Sequence, residues 1–220
     1  MSDWFSGDIV ANGIKIHYYR TGAKKPPLVL AHGFSDNGLC WTRVTQVLEE
    51  TYDVIMPDAR GHGFSDAPEE GYSSEDHAAD LAGLIQALDL GQPALMGHSM
   101  GASTVAATEI GYPDLVACAI LEDPPWFGKD SPWARNRRDL TPEQQKAEAE
   151  KRRTEIVERK SQTREEIMAF GRKNSPTWDE IEFGPWAESK RQLSPNVLRG
   201  SNIPRTPWQE IVPQIGRPTL

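Results

Sequence analysis

Short apolar runs alternate with helical patterns over the first 125 residues. Residues 5–10 and 14–19 flank Asn12-Gly13, a dipeptide at ease with positive φ and so a hairpin signal. Residues 28–31 (Leu-Val-Leu-Ala), 54–56 (Val-Ile-Met), 94–96 (Ala-Leu-Met) and 116–121 follow without polar alternation. A strand that is apolar at every position is covered on both faces, as in a parallel sheet. Helix-like stretches fall between these runs, at about 40–50, 76–89 and 101–110. The alternation predicts an α/β fold with a doubly wound, mostly parallel sheet.

The pattern changes after Pro124-Pro125. Thr141-Pro142-Glu143-Gln144 reads as a capping box with proline at the first helical position, and a charged helix follows to about residue 160. Thr163 to Glu166 repeats the signal, and residues 167–170 supply a small apolar face. Thr206-Pro207-Trp208-Gln209 opens a short helix that Pro213 closes. These signals divide the chain into a sheet core at 1–125, an inserted helical cap at 126–210, and a return to the core at 211–220. Five of the seven tryptophans fall in the cap (Trp126, Trp133, Trp178, Trp186, Trp208), so indoles are expected to serve both its packing and the pocket beneath it. Trp126 is the candidate substrate contact among them.

Composition narrows the functional classes. The 220 residues are 38% hydrophobic, enough for one core with an insertion. A formal net charge of −8 argues against nucleic acid and against an anionic membrane surface as partners. No apolar stretch approaches the roughly 20 residues needed to span a bilayer, and Met-Ser-Asp-Trp-Phe lacks the features of a signal peptide. A soluble cytoplasmic protein is expected, with Cys40 and Cys118 as reduced thiols.

The chemistry centres on residues 94–101, Ala-Leu-Met-Gly-His-Ser-Met-Gly. An apolar strand runs into Gly-x-Ser-x-Gly and then into a small-residue helix. A serine hydroxyl is a weak nucleophile and must be presented clear of its neighbours to a base. A sharp strand-to-helix turn does this, with Gly97 and Gly101 permitting the crowded backbone. The helix then aims its first N–H groups at a developing oxyanion. His32-Gly33-Phe34 ends an earlier strand, so the Phe34 N–H is the candidate second donor, opposite that of Met100. His32 itself is expected to brace its turn. Residues 58–66, Asp-Ala-Arg-Gly-His-Gly-Phe-Ser-Asp, read as a tight turn fixed by charged side chains; no phosphate-binding glycine pattern is present.

His-Gly-Phe, Asp-x-Arg-Gly-His-Gly-x-Ser-Asp and Gly-His-Ser-Met-Gly, in this order, resemble the α/β-hydrolase superfamily, most of all its capped esterases, lipases and carbon–carbon bond hydrolases. The resemblance implies a Ser–acid–His triad, with neither metal nor organic cofactor. Ser99 matches the nucleophile, and the backbone N–H groups of Phe34 and Met100 match the oxyanion hole. A serine at 99 sets the chain apart from the dehalogenase and epoxide hydrolase branches, which use aspartate there. Asp123, ending the strand after the nucleophile helix, is the candidate acid inside the chain; capping the turn before Pro124 is its alternative role. None of His17, His32, His62, His77 and His98 matches the place of the family's base, so a second chain or a further segment is expected to supply it. Residues 217–220 look like the start of another strand, beside 117–122 and away from Ser99. The implied substrate is a small carboxylic ester. Carbon–carbon cleavage, perhydrolysis, lactone opening and non-catalytic ligand binding are alternatives on the same fold.

Overall fold

The computed structural model describes residues 4–22, 24–126, 141–199 and 208–220. Its centre is one six-stranded sheet. Strands β1 (Phe5–Ala11) and β2 (Ile14–Arg20) form the antiparallel hairpin that Asn12-Gly13 announces, with φ of 49° and 77° at the two turn residues. Strands β3 (Pro27–Ala31), β4 (Asp53–Pro57), β5 (Ala94–His98) and β6 (Cys118–Glu122) are mutually parallel, and the order across the sheet is β1-β2-β4-β3-β5-β6. The last strand begins two residues later than its apolar run, because Val116 is spent in the preceding turn, where its N–H bonds the Pro113 carbonyl. Beyond the named strands, Thr219 pairs parallel with Ala119 on the edge of β6 away from β5.

Period-two alternation explains the continuous apolar runs. Val29, Ala31 and Ile55 join one core cluster with Leu81, Leu84 and Ile85 of α2 (Ser74–Ala87) and Val105 of α3 (Met100–Gly111). Leu28, Leu30, Val54 and Met56 point the other way, toward Trp41 and Leu48 beside α1 (Thr42–Leu48). Each valine, leucine, isoleucine or methionine so buried contributes about 1.5–3 kcal/mol. A short 3-10 turn, Gly38–Trp41, precedes α1, so the predicted helix at 40–50 is split in two.

Helices α4 (Pro142–Ser161) and α5 (Arg164–Asn174) start at capping boxes formed by Thr141 with Gln144 and by Thr163 with Glu166. Helix α6 (Glu180–Gln192) starts at a third capping box, Asp179 with Glu182, but Gly184-Pro185 lies inside it and proline removes an intrahelical bond. Its Asp179 cap and the burial of Phe183 and Ala187 offset that loss. A further short helix, α7, spans Trp208–Ile211; its expected opening at Thr206-Pro207, together with Trp133, lies outside the described residues. From α6 the chain crosses the loops that follow β3 and β4. Ser194 N–H donates to the Gly61 carbonyl (2.8 Å), Asn196 Nδ2 donates to Ala67 O (3.1 Å), and Leu193 and Val197 pack on Tyr72. The helical segment therefore meets the sheet at the C-terminal ends of its parallel strands. Among the described residues no helix is long and apolar enough to cross a membrane, and Cys40 and Cys118 are free thiols.

Buried polar groups tie the loops to this frame. Arg60 grips Asp80 of α2 through two hydrogen bonds (2.6 and 2.5 Å), and Asn12 adds a third to the same carboxylate (3.0 Å). Both partners are almost fully buried. Breaking such a pair strands one charge in the interior. Arg60→Met should destabilise the protein by about 3–5 kcal/mol in urea unfolding. His32, His62 and His77 are also buried, and burial pushes them from 6.5 to about 4, about 3 and about 3. The folded state thus holds them neutral where the unfolded chain takes up protons. Their contribution is complete above pH 6.5 and is lost as pH falls from there toward 3–4. Stability measured between pH 7 and 4 should drop with a proton uptake approaching three, and His77→Gln should lower that uptake by about one.

Candidate active site

Strand β5 leaves the sheet at His98, and α3 begins at Met100. Ser99 makes the whole reversal between them, at φ 52° and ψ −112°. A non-glycine residue held there costs of order 1–3 kcal/mol and persists only where its surroundings enforce it. Two close approaches do so. A Cβ on Gly97 would lie 2.2 Å from the Gly101 carbonyl oxygen, and one on Gly101 would lie 2.0 Å from the Ala31 carbonyl oxygen. Both obstacles are backbone, so only glycine fits. The Ser99 N–H donates to Glu122 O (2.9 Å), which extends the β5–β6 ladder one residue beyond the strand. The Ser99 side chain makes no capping bond to α3. Its hydroxyl is thus free of the local role that serine usually takes at such a position.

The second expected donor sits on a tight turn after β3. Asp36 N–H bonds the Gly33 carbonyl (3.1 Å), with Phe34 and Ser35 at the centre and Ser35 at φ 66°. This places the Phe34 N–H outside the bond that closes the turn. Among the described residues it meets no acceptor, and the Met100 N–H, opening α3, has no partner within the helix. The residues that lead into the turn lie against the start of α3, since a Cβ on Gly101 would meet the Ala31 and His32 carbonyl oxygens. His32 braces the turn as expected: Nδ1 donates to Gly33 O (2.9 Å) and Nε2 accepts from Ala59 N–H (3.0 Å). That pattern requires the neutral ring, in keeping with its lowered pKa. Asp58 braces it from the other side by accepting from Gly38 N–H (2.7 Å) and Phe64 N–H (2.9 Å). Burial pushes the Asp58 carboxyl up, and these two amides oppose the shift.

Asp123 stands one residue past β6, exposed, at φ 45°, on the strand beside the one that carries Ser99. Among the described residues no hydrogen bond joins it to Ser99, and none of the five histidines bonds the Ser99 hydroxyl. His17 instead pairs with Asp8 (2.7 Å), and the His62 Nδ1 donates to Arg60 O (2.8 Å). Trp126 is half-buried, and its backbone N–H donates to Pro124 O (2.7 Å). Trp178 and Trp186 pack edge to face on each other (5.9 Å between ring centres), Trp186 half-buried within the helical segment and Trp178 exposed on its outer side. A cleft of about 40 Å³ lies behind the first turn of α3, lined by His32, Arg60, His77, Met100, Gly101 and Thr104 among others.

Sequence reasoning missed the residues that join α6 to the Phe34 turn. Lys190 Nζ donates to Ser35 O (2.7 Å), Ser35 Oγ (3.0 Å) and Asp36 Oδ1 (2.8 Å), and Gln192 Oε1 accepts from Asn37 Nδ2 (2.9 Å). A lysine in a charged helical stretch carries no mark of burial, so no sequence signal singled it out. The elbow geometry generates one prediction: Gly101→Ala should cut labelling of Ser99 by a fluorophosphonate at least 100-fold, because the Ala31 carbonyl cannot yield 1 Å without moving the Phe34 turn.

The model of the alpha/beta hydrolase fold family matches residues 26–178. The 2-(acetamidomethylene)succinate hydrolase of Mesorhizobium japonicum is 39% identical over 98 residues, 44% of this chain and 35% of that one. The N-formylmaleamate deformylase of Pseudomonas putida is 37% identical over 124 residues, 56% of this chain and 46% of that one. The matches thus span less than half the length of either curated relative. The crystal structure of E-2-(acetamidomethylene)succinate hydrolase superposes with a TM-score of 0.75 at 24% identity, covering 98% of this chain and 79% of that one. With the family match extending over more than half of its length, and the sheet order and elbow in place, the chain belongs to the α/β-hydrolase fold family.

Proposed function

We infer that Ser99 is the nucleophile of an acyl hydrolase, forming an acyl-enzyme that water then releases. The observation that carries this is the strained Ser99 itself, with a hydroxyl that caps nothing at the uncapped start of α3. In the first step the Ser99 Oγ attacks the substrate carbonyl, its proton passes to a base, and the C–O bond to the leaving group breaks. The negative charge developing on the carbonyl oxygen is received by the Phe34 and Met100 N–H groups. Preorganised donors of this kind are worth about 10²–10³ in rate each. Asp123 takes the acid's role, orienting an imidazole from its place beside Ser99. That imidazole comes from outside the five histidines of this sequence, on a further segment or a partner chain, because none of the five bonds the serine. The helical segment, meeting the sheet on the Ser99 edge, acts as the cap over the pocket, with Trp126 at its border.

The substrate is a small carboxylic ester in this reading. A second reading, cleavage of another acyl bond by the same steps, is favoured by the names of the relatives, one of which is a deformylase and the other a hydrolase of an acetamido compound. Carbon–carbon cleavage would use the same serine and donors. A panel of p-nitrophenyl acetate, an N-formyl amide and a 1,3-diketone, assayed with the full-length protein, separates these cases. Turnover of at least one of the three is expected, falling by 10³-fold or more in Ser99→Ala. Asp123→Asn should lower it by 10²-fold or more with little change in KM. Unchanged turnover in Ser99→Ala would remove the serine mechanism altogether.

A further inference from the structure

The turn that carries the Phe34 N–H is held from above by one buried cation. Lys190 lies on α6, 155 positions from Ser35 in the chain, with its side chain 6% exposed. An ammonium group has three donors, and each is used: Ser35 O, Ser35 Oγ and Asp36 Oδ1. The Trp186 ring covers the same nitrogen at 5.2 Å from its centre. A cation withdrawn from water to this degree is stable only with such partners, so Lys190 and the turn are bound to each other's geometry. The bonds fall on the two residues that follow Phe34. Ser35 has to hold φ 66°, a conformation a serine seldom adopts, and Asp36 supplies the N–H that closes the turn on Gly33. Next to it, Asn37, almost fully buried, donates to Gln192 of the same helix.

We propose that Lys190 is a positioning residue for the oxyanion hole: by holding Ser35 and Asp36 it fixes the direction of the Phe34 N–H. The proposal rests on the reading of Ser99 and Phe34 given above. The helical segment then does more than cover the pocket. One of the two oxyanion donors is set by a residue of that segment, while the Met100 donor is set by the sheet and α3. Lys190 does not touch substrate in this account, because all three of its donors are taken by the turn.

The test uses the full chain with its phenylalanines labelled with ¹⁵N, the Phe34 amide being assigned by its disappearance in Phe34→Leu. Lys190→Met should shift the Phe34 amide resonance and speed its hydrogen exchange. It should also lower kcat on p-nitrophenyl acetate 10- to 100-fold while KM changes less than threefold. Lys190→Arg, which can still reach Asp36 and Ser35, should return kcat to within about fivefold of the parent. Asp36→Asn keeps the lysine and should give a smaller loss of kcat in the same direction, which guards against misfolding of a single variant. Arg191→Ala, next along the helix and exposed, should leave the resonance and kcat unchanged. An unmoved Phe34 amide in Lys190→Met would overturn the proposal. So would a rise in KM at constant kcat, which would make Lys190 a substrate contact. If turnover survives Ser99→Ala, the reading of the site fails instead, and the amide resonance still reports whether Lys190 sets the turn.

Discussion

The close approach of Gly101 to the Ala31 carbonyl is the contact on which the rest of the site depends. It lets α3 start directly against the end of β3, so the reversal between β5 and α3 must be completed in the single residue Ser99. Any side chain at Gly97 or Gly101 would push the helix away from the sheet. The strain at Ser99 is then sustained by packing elsewhere: Val105 and Ala102 of α3 are wholly buried, and Val29 and Leu95 beneath them are equally inaccessible. A few kcal/mol of local strain is small against the burial of those side chains. The result is a hydroxyl without a capping duty at the very start of α3.

The loops around the serine are fixed by buried polar groups rather than by apolar packing. Asp58 accepts from two backbone amides in different loops, and a Cβ on Gly63 would come within 2.0 Å of its carboxylate. His32 joins its own turn to the loop after β4, and Arg60 joins that loop to α2. A buried donor or acceptor left unpaired costs more than the bond itself contributes, so these loops have few alternative arrangements. The same burial that gives the loops their rigidity keeps three histidines neutral.

The helical segment belongs to this network through α6. Its outer surface is charged and exposed, as the sequence of α4 already indicates, but its inner contacts with the protein's loops add specific polar bonds to the packing of Leu193 and Val197 on Tyr72: Lys190 with Ser35 and Asp36, Gln192 with Asn37, Ser194 with Gly61. Trp186 packs edge to face on the exposed Trp178 and covers the Lys190 ammonium. An indole is equally suited to a core and to an apolar pocket, so composition alone cannot assign it to either.

The sequence by itself determined the α/β class, the hairpin at Asn12-Gly13, the capping boxes at Thr141 and Thr163, and the elbow at Ser99. Each of these rests on physics within a few residues: a positive φ, a side chain reaching its own backbone, a glycine where no Cβ fits. Only the tertiary structure decided that α6 forms across Pro185, that β6 starts after Val116, that Trp178 and Trp186 pack together, and that a lysine 155 positions away holds the turn of Phe34. These outcomes depend on contacts between segments far apart in the chain. A charged residue in a charged helix looks the same in sequence whether water or a buried carboxylate receives it.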